Sequence, residues 1–527
     1  MTFSRRSALY GLGSIIATPA ILRAQDMGDA LATCAQGKLR GVRSPGLSTF
    51  KAIPYAGSVS GQARFKAPPA PASWTGVRDA SQLGPPSIQP PKGTSGIFEP
   101  ACAEDCLVLN IWTPAADGKR RPVMFYNHGG GYVTGSGGGR GADGGRLATE
   151  YDVVVVETNH RLGLLGYLYL GELLGPEYQA NQGMLDILAA LKWVKVNIEA
   201  FGGDPNNVMI RGESGGAGKT ACLYGMPLAD PYFNKASMES GGPTQMPRAA
   251  AVALAERIIK YLGLTRADAK KILDLPVEQL LDAQMKNGGG FGAFVDGEIV
   301  PEVLFQDRAP AISARKPMIV GTCQNEAVFF SYTDPTAFNM DEAEMKKRLQ
   351  PMTGKDTEAW IATYRKARPR DNPTDLFFGI ETARMMRVGA VNMAEKKAQQ
   401  AAAPVYSYIV TYQNQSLVPK TNHPFQASHA SDIRLTFDIP DITDPPAGQE
   451  RPEIFGGDRS EPHRQTAHHM SRYWANFART GVPSCEGQPA WTPYSMARRE
   501  TLLIDAQCKL VQDPESAERK FWESLNR

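Results

Sequence analysis

The stretch Val208-Met209-Ile210-Arg211-Gly212-Glu213-Ser214-Gly215-Gly216-Ala217 constrains the chain more than any other. An apolar, β-prone run enters Gly-x-Ser-x-Gly, and a helical pattern of small residues leaves it through Leu223. A strand that turns this sharply into a helix needs glycines on both sides of the serine. The turn leaves the hydroxyl at its tip and the next backbone N–H free for a developing oxyanion. Five residues are a short match, and a serine between glycines is commonly a plain loop, so the rest of the chain must supply its partners. A P-loop reading of the same stretch fails on spacing. Counting back from Gly218-Lys219-Thr220, the required first glycine falls on Glu213, which would set a carboxylate beside the phosphates.

The context is that of an α/β protein. Glu104–Trp112 alternates as a strand, Pro122–Asn127 is a second, and Asp152–Glu157 contains four consecutive valines, as a strand buried on both faces does. Leu185, Leu188, Leu191, Val194 and Ile198 then recur at helical spacing ahead of the Val208–Ile210 strand. Strands continue at 236–239, 317–321, 405–410 and 502–504. Helical patterns over 249–262, 277–286, 341–349, 357–367 and 376–399 are too many for simple crossovers. They predict helical insertions over about 249–400 that form a cap or gorge walls at the carboxyl ends of the strands, where pockets in such sheets lie. Residues 37–100, rich in Gly, Pro and Ser, read as an irregular or edge-strand region, and the glycine run 135–145 as a loop.

A serine hydroxyl needs a base, and the base needs a carboxylate to hold its tautomer. After an elbow of this kind the order along the chain is serine, acid, histidine. That order excludes His128 and His160 and leaves His423, His429, His463, His468 and His469. His468 and His469 lie in a helical run toward Trp474, and His463 follows Pro462 in a charged loop with no evident partner. His429 sits among small residues, Gln426 to Asp432, after a strand, and is the leading base. An unperturbed imidazole there would give an acid limb of activity near pH ~6–7. Glu326 lies just past the apolar strand 317–321, between Ser214 and His429, where an orienting acid belongs, although spacing alone does not exclude other acids. His128-Gly129-Gly130-Gly131 ends a strand and matches a loop whose N–H groups, at Gly130 and Gly131, join that of Gly215 around an oxyanion.

The N-terminus reads as a removable export signal: Ser4-Arg5-Arg6-Ser7, an uncharged stretch from Ala8 to Leu22, then Arg23-Ala24-Gln25, with cleavage expected after Ala24. The paired arginines favour the twin-arginine route to a periplasmic or secreted location. The apolar run is short and interrupted by Gly, Ser, Thr and Pro, which argues against a spanning anchor. Losing residues 1–24 removes three arginines and no acid, taking the formal charge of +3 close to zero. No basic footprint for nucleic acid or an anionic membrane remains. The histidines lack His-Glu-x-x-His and the cysteines lack zinc-ligand spacing, so neither metal nor organic cofactor is expected.

With the elbow, the glycine loop and the ordered acid and base in view, the chain resembles the type-B carboxylesterases, the branch of the α/β-hydrolases that includes the cholinesterases. The resemblance covers nearly all of residues 25–527. It also rests on Glu104-Asp105-Cys106-Leu107 with Asn110-Ile111, on Asn159-His160-Arg161-Leu162-Gly163, on Phe201-Gly202-Gly203-Asp204-Pro205 and on Trp474–Gly481. It implies a single α/β-hydrolase domain with a large, mostly parallel sheet flanked by helices. It also implies Glu326 as the acid, in Asn325-Glu326, and His429 as the base, in His429-x-x-Asp432. The expected activity is that of an exported serine esterase acting on a small-molecule ester through an acyl-enzyme; an amidase or acyltransferase would use the same residues, and a non-catalytic binding module has typically lost one of them. Oligomeric state is left open.

Three departures from the family pattern stand out. Ser87 takes the place of the cysteine that usually pairs with Cys106, leaving Cys102 or Cys34 as possible partners. No tryptophan lies between Trp74 and Trp112, so a choline substrate is not supported. Gly215 replaces the usual alanine after the serine and leaves its N–H in place.

Overall fold

The computed structural model describes residues 28–90, 101–139, 142–179, 181–288, 290–441 and 458–525. The predicted signal at 1–24 lies outside them. Thirteen strands of the described residues form one sheet: β1 (Gly28–Cys34), β2 (Gly37–Ser44), β3 (Leu47–Pro54), β4 (Val77–Asp79), β5 (Val108–Thr113), β6 (Arg121–Asn127), β7 (Val154–Thr158), β8 (Gly203–Glu213), β9 (Lys235–Glu239), β10 (Met318–Cys323), β11 (Val405–Val410), β12 (Glu500–Ile504) and β13 (Lys509–Gln512). Their order is β1-β2-β3-β5-β7-β6-β8-β9-β10-β11-β12-β13, with β4 paired to β2. From β7 to β12 every neighbour is parallel; antiparallel strands continue the sheet on either side.

Every residue of β6, β7, β9, β10 and β11 is buried, as a strand covered on both faces requires. Alternation then sorts the side chains. Val123, Phe125, Val154, Val156 and Ile210 face the helices Gln182–Asn197 and Gly215–Gly225. Met124, Tyr126, Val153, Val155 and Met209 face Gly145–Tyr151 and the long helix Glu461–Thr480, through Met470, Trp474 and Phe477. Within the Asn159–Gly163 motif, Arg161 makes a buried two-pronged pair with Asp186 at 2.7 and 2.8 Å, fastening the turn after β7 to the first of these helices.

The sheet edge is an antiparallel meander, β1 to β3, whose second and third strands open the 37–100 region read as irregular or edge-strand. β1 escaped the sequence reading because its inward residues are only Ala30, Ala32 and Cys34, while Leu31 points out. The 376–399 pattern is two helices, Pro373–Thr382 and Val388–Gln400, joined through the π-helical turn Ala383–Arg387. Cys34, Cys106, Cys222, Cys323, Cys485 and Cys508 are free thiols. Ser87 hydrogen-bonds Cys106 where a bridge would lie, while burial and the Asp186 carboxylate push that thiol up to about 12. Among the described residues no helix is long and apolar enough to cross a membrane.

Candidate active site

β8 delivers Glu213 and Ser214 to the carboxyl edge of the sheet. Ser214 has φ 57 and ψ −124, a conformation that costs a non-glycine residue roughly 1–3 kcal/mol. Two backbone bonds hold it there. Its N–H donates to the Glu239 carbonyl at 2.9 Å, and its carbonyl accepts from Gly218 at 3.2 Å. Gly212 and Gly216 let the elbow press on β6, since a Cβ at either would run into the Asn127 carbonyl.

The Ser214 hydroxyl lies 2.8 Å from Nε2 of His429, and His429 Nδ1 lies 2.6 Å from Oε2 of Glu326. A carboxylate can only accept, so Nδ1 carries the hydrogen and Nε2 is left to accept from serine. The second Glu326 oxygen accepts from the Cys323 N–H at 2.7 Å, and Asn325 N–H donates to the Ala427 carbonyl at 2.9 Å, tying the acid turn to the histidine loop. His429 and Glu326 are buried, whereas Ser214 is only partly so. Phe330, 46% exposed, covers the imidazole with ring centroids 4.7 Å apart.

Burial works against a charged His429, but the Glu213 and Glu326 carboxylates outweigh it and raise the ring to about 9. Glu213 is the residue sequence reasoning passed over. Its Oε1 lies 3.4 Å from His429 Nε2 and has no hydrogen-bond partner, and burial pushes this carboxyl well above the usual range. The only sequence signal was an acid between the first glycine and the serine. Asp432, also buried, accepts from Ser240 Oγ at 2.8 Å and from the Tyr408 hydroxyl at 3.2 Å, pinning the helix that follows His429.

The glycine loop meets the elbow directly. Gly130 and Gly131 have φ +84 and +64, and a Cβ at Gly215 would fall within contact of the Gly131 Cα and carbonyl. The glycine at 215 therefore does more than preserve a donor: it lets the two segments touch. The N–H groups of Gly130, Gly131 and Gly215 have no acceptor among the described residues, while the Gly130 carbonyl is occupied by Thr134 N–H at 3.0 Å. Three free donors at one strained serine can receive a developing negative charge.

The remaining histidines stand apart. His463 is not in a loop: Pro462 opens the helix Glu461–Thr480, Ser460 caps it, and the buried His463 donates to the Asp458 carbonyl at 2.6 Å. His423 lies near Asp375 at 3.3 Å, His468 meets Tyr151, and His469 meets Gln488.

Residues 29–522 match the carboxylesterase family. The chain belongs to that family. This carboxylesterase is 32% identical to the para-nitrobenzyl esterase of Bacillus subtilis (strain 168), over 93% of this chain and 98% of that protein. It is 30% identical to the liver carboxylesterase of Sus scrofa, over 92% and 90%. A Geobacillus stearothermophilus carboxylesterase solved at pH 6.2 superposes with a TM-score of 0.81 at 34% identity, covering 94% of this chain and all of that one. The protein is an α/β-hydrolase and a carboxylic ester hydrolase of the serine esterase type.

Proposed function

We propose that this carboxylesterase is exported and hydrolyses small-molecule esters through an acyl-enzyme on Ser214. The observation that carries the reading is the continuous line from Ser214 Oγ through His429 to Glu326, 2.8 and 2.6 Å, beside three unused backbone donors. Ser214 attacks the ester carbonyl as His429 takes its proton. Gly130, Gly131 and Gly215 receive the oxyanion, and the imidazolium, held by Glu326, protonates the departing alcohol. Water then repeats the sequence on the acyl-enzyme.

The relatives carry names as different as para-nitrobenzyl esterase, phenmedipham hydrolase and fumonisin B1 esterase, so the acyl and alcohol groups must be found by assay. The test is a panel of p-nitrophenyl esters of increasing acyl length, run beside a matched anilide and with a competing alcohol. A shared acyl-enzyme predicts that the alcohol diverts acyl product in the same ratio for esters of one acid with different leaving groups. A ratio that changes with the leaving group would overturn it. For export, the twin-arginine-type signal is the support, and the family match begins only at residue 29. N-terminal sequencing of protein recovered outside the cytoplasm should begin at Gln25; full-length protein retained in the cytoplasm would contradict it.

A further inference from the structure

Ester chemistry leaves the Gly218-Lys219-Thr220 segment of the elbow helix without a role, yet two of its side chains reach the root of the glycine loop. Lys219 is fully buried, and its Nζ donates to the His128 carbonyl at 2.9 Å. Thr220 Oγ1 accepts from Asn127 Nδ2 at 2.9 Å. Asn127 and His128 are the last residue of β6 and the first of the loop. The far end of the loop meets the same amine, which lies 5.7 Å from the centre of the Tyr132 ring.

Among the described residues no carboxylate pairs with Lys219. A buried amine without an acid is a costly way to fill a core that an alkyl chain would fill better. Burial accordingly lowers this lysine to about 7. What the amine adds over methylenes is one hydrogen bond, and that bond goes to the carbonyl leading into Gly129–Gly131. Beside the amine lie two buried imidazoles. The His128 ring stacks on His160 at 4.6 Å and donates from Nδ1 to the Gly129 carbonyl at 2.9 Å, and burial together with Lys219 keeps both imidazoles well below their usual value.

We infer that Lys219, assisted by Thr220, is a positioning residue that fixes the oxyanion loop before reaction. The inference rests on reading Gly130 and Gly131 as oxyanion donors. Backbone donors stabilise a transition state only if they are already in place when charge develops, and a loop with two left-handed glycines has few restraints of its own. Lys219 and Thr220 tie its entry to the helix that carries Ser214, so nucleophile and donors move as one body.

The test compares wild type, Lys219→Met and Thr220→Val, with turnover normalised per active site by end-point titration with a fluorophosphonate. Lys219→Met keeps the stem and removes the donor. It should lower kcat about 10²-fold, the scale of one lost oxyanion donor, with KM within about threefold. A trifluoromethyl ketone, which adds to the serine as a tetrahedral oxyanion, should bind more weakly by the same factor. Thr220→Val, close to isosteric, should show the same split at about tenfold, the scale of one neutral hydrogen bond, and it decides the matter if Lys219→Met does not fold. Folded variants with wild-type kcat and wild-type ketone affinity would overturn the inference, as would a loss that vanishes once rates are expressed per titrated site. A wild type that binds the ketone no better than the parent substrate would overturn the oxyanion reading itself, and the inference with it.

Discussion

Ser214 stands between two flanks of unlike charge. On the base side, His429 is surrounded by carboxylates: Glu326 at 2.6 Å, Glu213 at 3.4 Å, and the buried Asp432 three residues along. On the loop side the root is formed by Asn127, two neutral stacked imidazoles and a buried lysine, with backbone N–H groups at its tip. In the proposed acyl-enzyme mechanism an imidazolium forms on the first side and an oxyanion on the second. Each flank thus offers the charge or dipole opposite to the one that will develop beside it, set in place beforehand.

The largest effect comes from removing the atom both flanks serve. Ser214→Ala should lower ester turnover about 10⁶-fold in a folded protein, measured as kcat on the best ester of the panel. Weakening only the base side should cost less. Glu326→Gln leaves the shape but can present an amide N–H to Nδ1, favouring the wrong tautomer, and a loss of about 10⁴-fold in kcat is expected. His463→Ala should keep wild-type kcat, because its ring serves a helix end rather than this line.

Disturbing only the loop side should cost less again. Gly130→Val would drive a Cβ into the Thr134 carbonyl and hydroxyl at a φ of +84, so kcat should fall about 10²–10³-fold. Gly487→Val is the matched control: the same left-handed backbone, φ +76, but nothing within 4 Å of the new Cβ. Thermal unfolding of both separates a displaced loop from a damaged fold. Equal losses in kcat from the two would remove the distinction between the loop and an ordinary turn.

The smallest effect is in pH. His429 must be neutral to accept the serine proton, so activity is present above its folded pKa and lost as pH falls through it. With that pKa raised above 6.5 toward about 9, the acid limb of kcat/KM should lie on the alkaline side of an ordinary imidazole, not near 6–7. Glu213→Gln removes one of the three carboxylates holding it up and should move the limb to lower pH. A limb at or below 6.5 that ignores this substitution would show that the base side is not governed by its carboxylates.

The two flanks were not equally legible in the sequence. Backbone demands leave residue signatures: a strained serine needs Gly212 and Gly216, and a donor loop needs Gly130 and Gly131, so both segments stood out. The fold was legible for a similar reason, since strands buried on both faces must be runs of valine and its kin, as in β7. The charge environment has no such signature. Glu213 and Asp432 are single letters whose burial depends on which strands end beside them, and Glu326 could be separated from other acids only by the family resemblance. Lys219 was visible only as a failed P-loop. His463 was misplaced although Ser460-Glu461-Pro462 is an ordinary helix start, because the charged residues around it drew more weight than the cap.

The most direct test of the whole arrangement asks which atom is the nucleophile. Protein inactivated with a fluorophosphonate at neutral pH, digested and mapped by mass spectrometry, should carry one adduct, on the peptide containing Ser214. The adduct should accumulate in step with the loss of esterase activity, and Ser214→Ala should take up none. Complete inactivation with the adduct on another residue, or with Ser214 unmodified, would contradict the account.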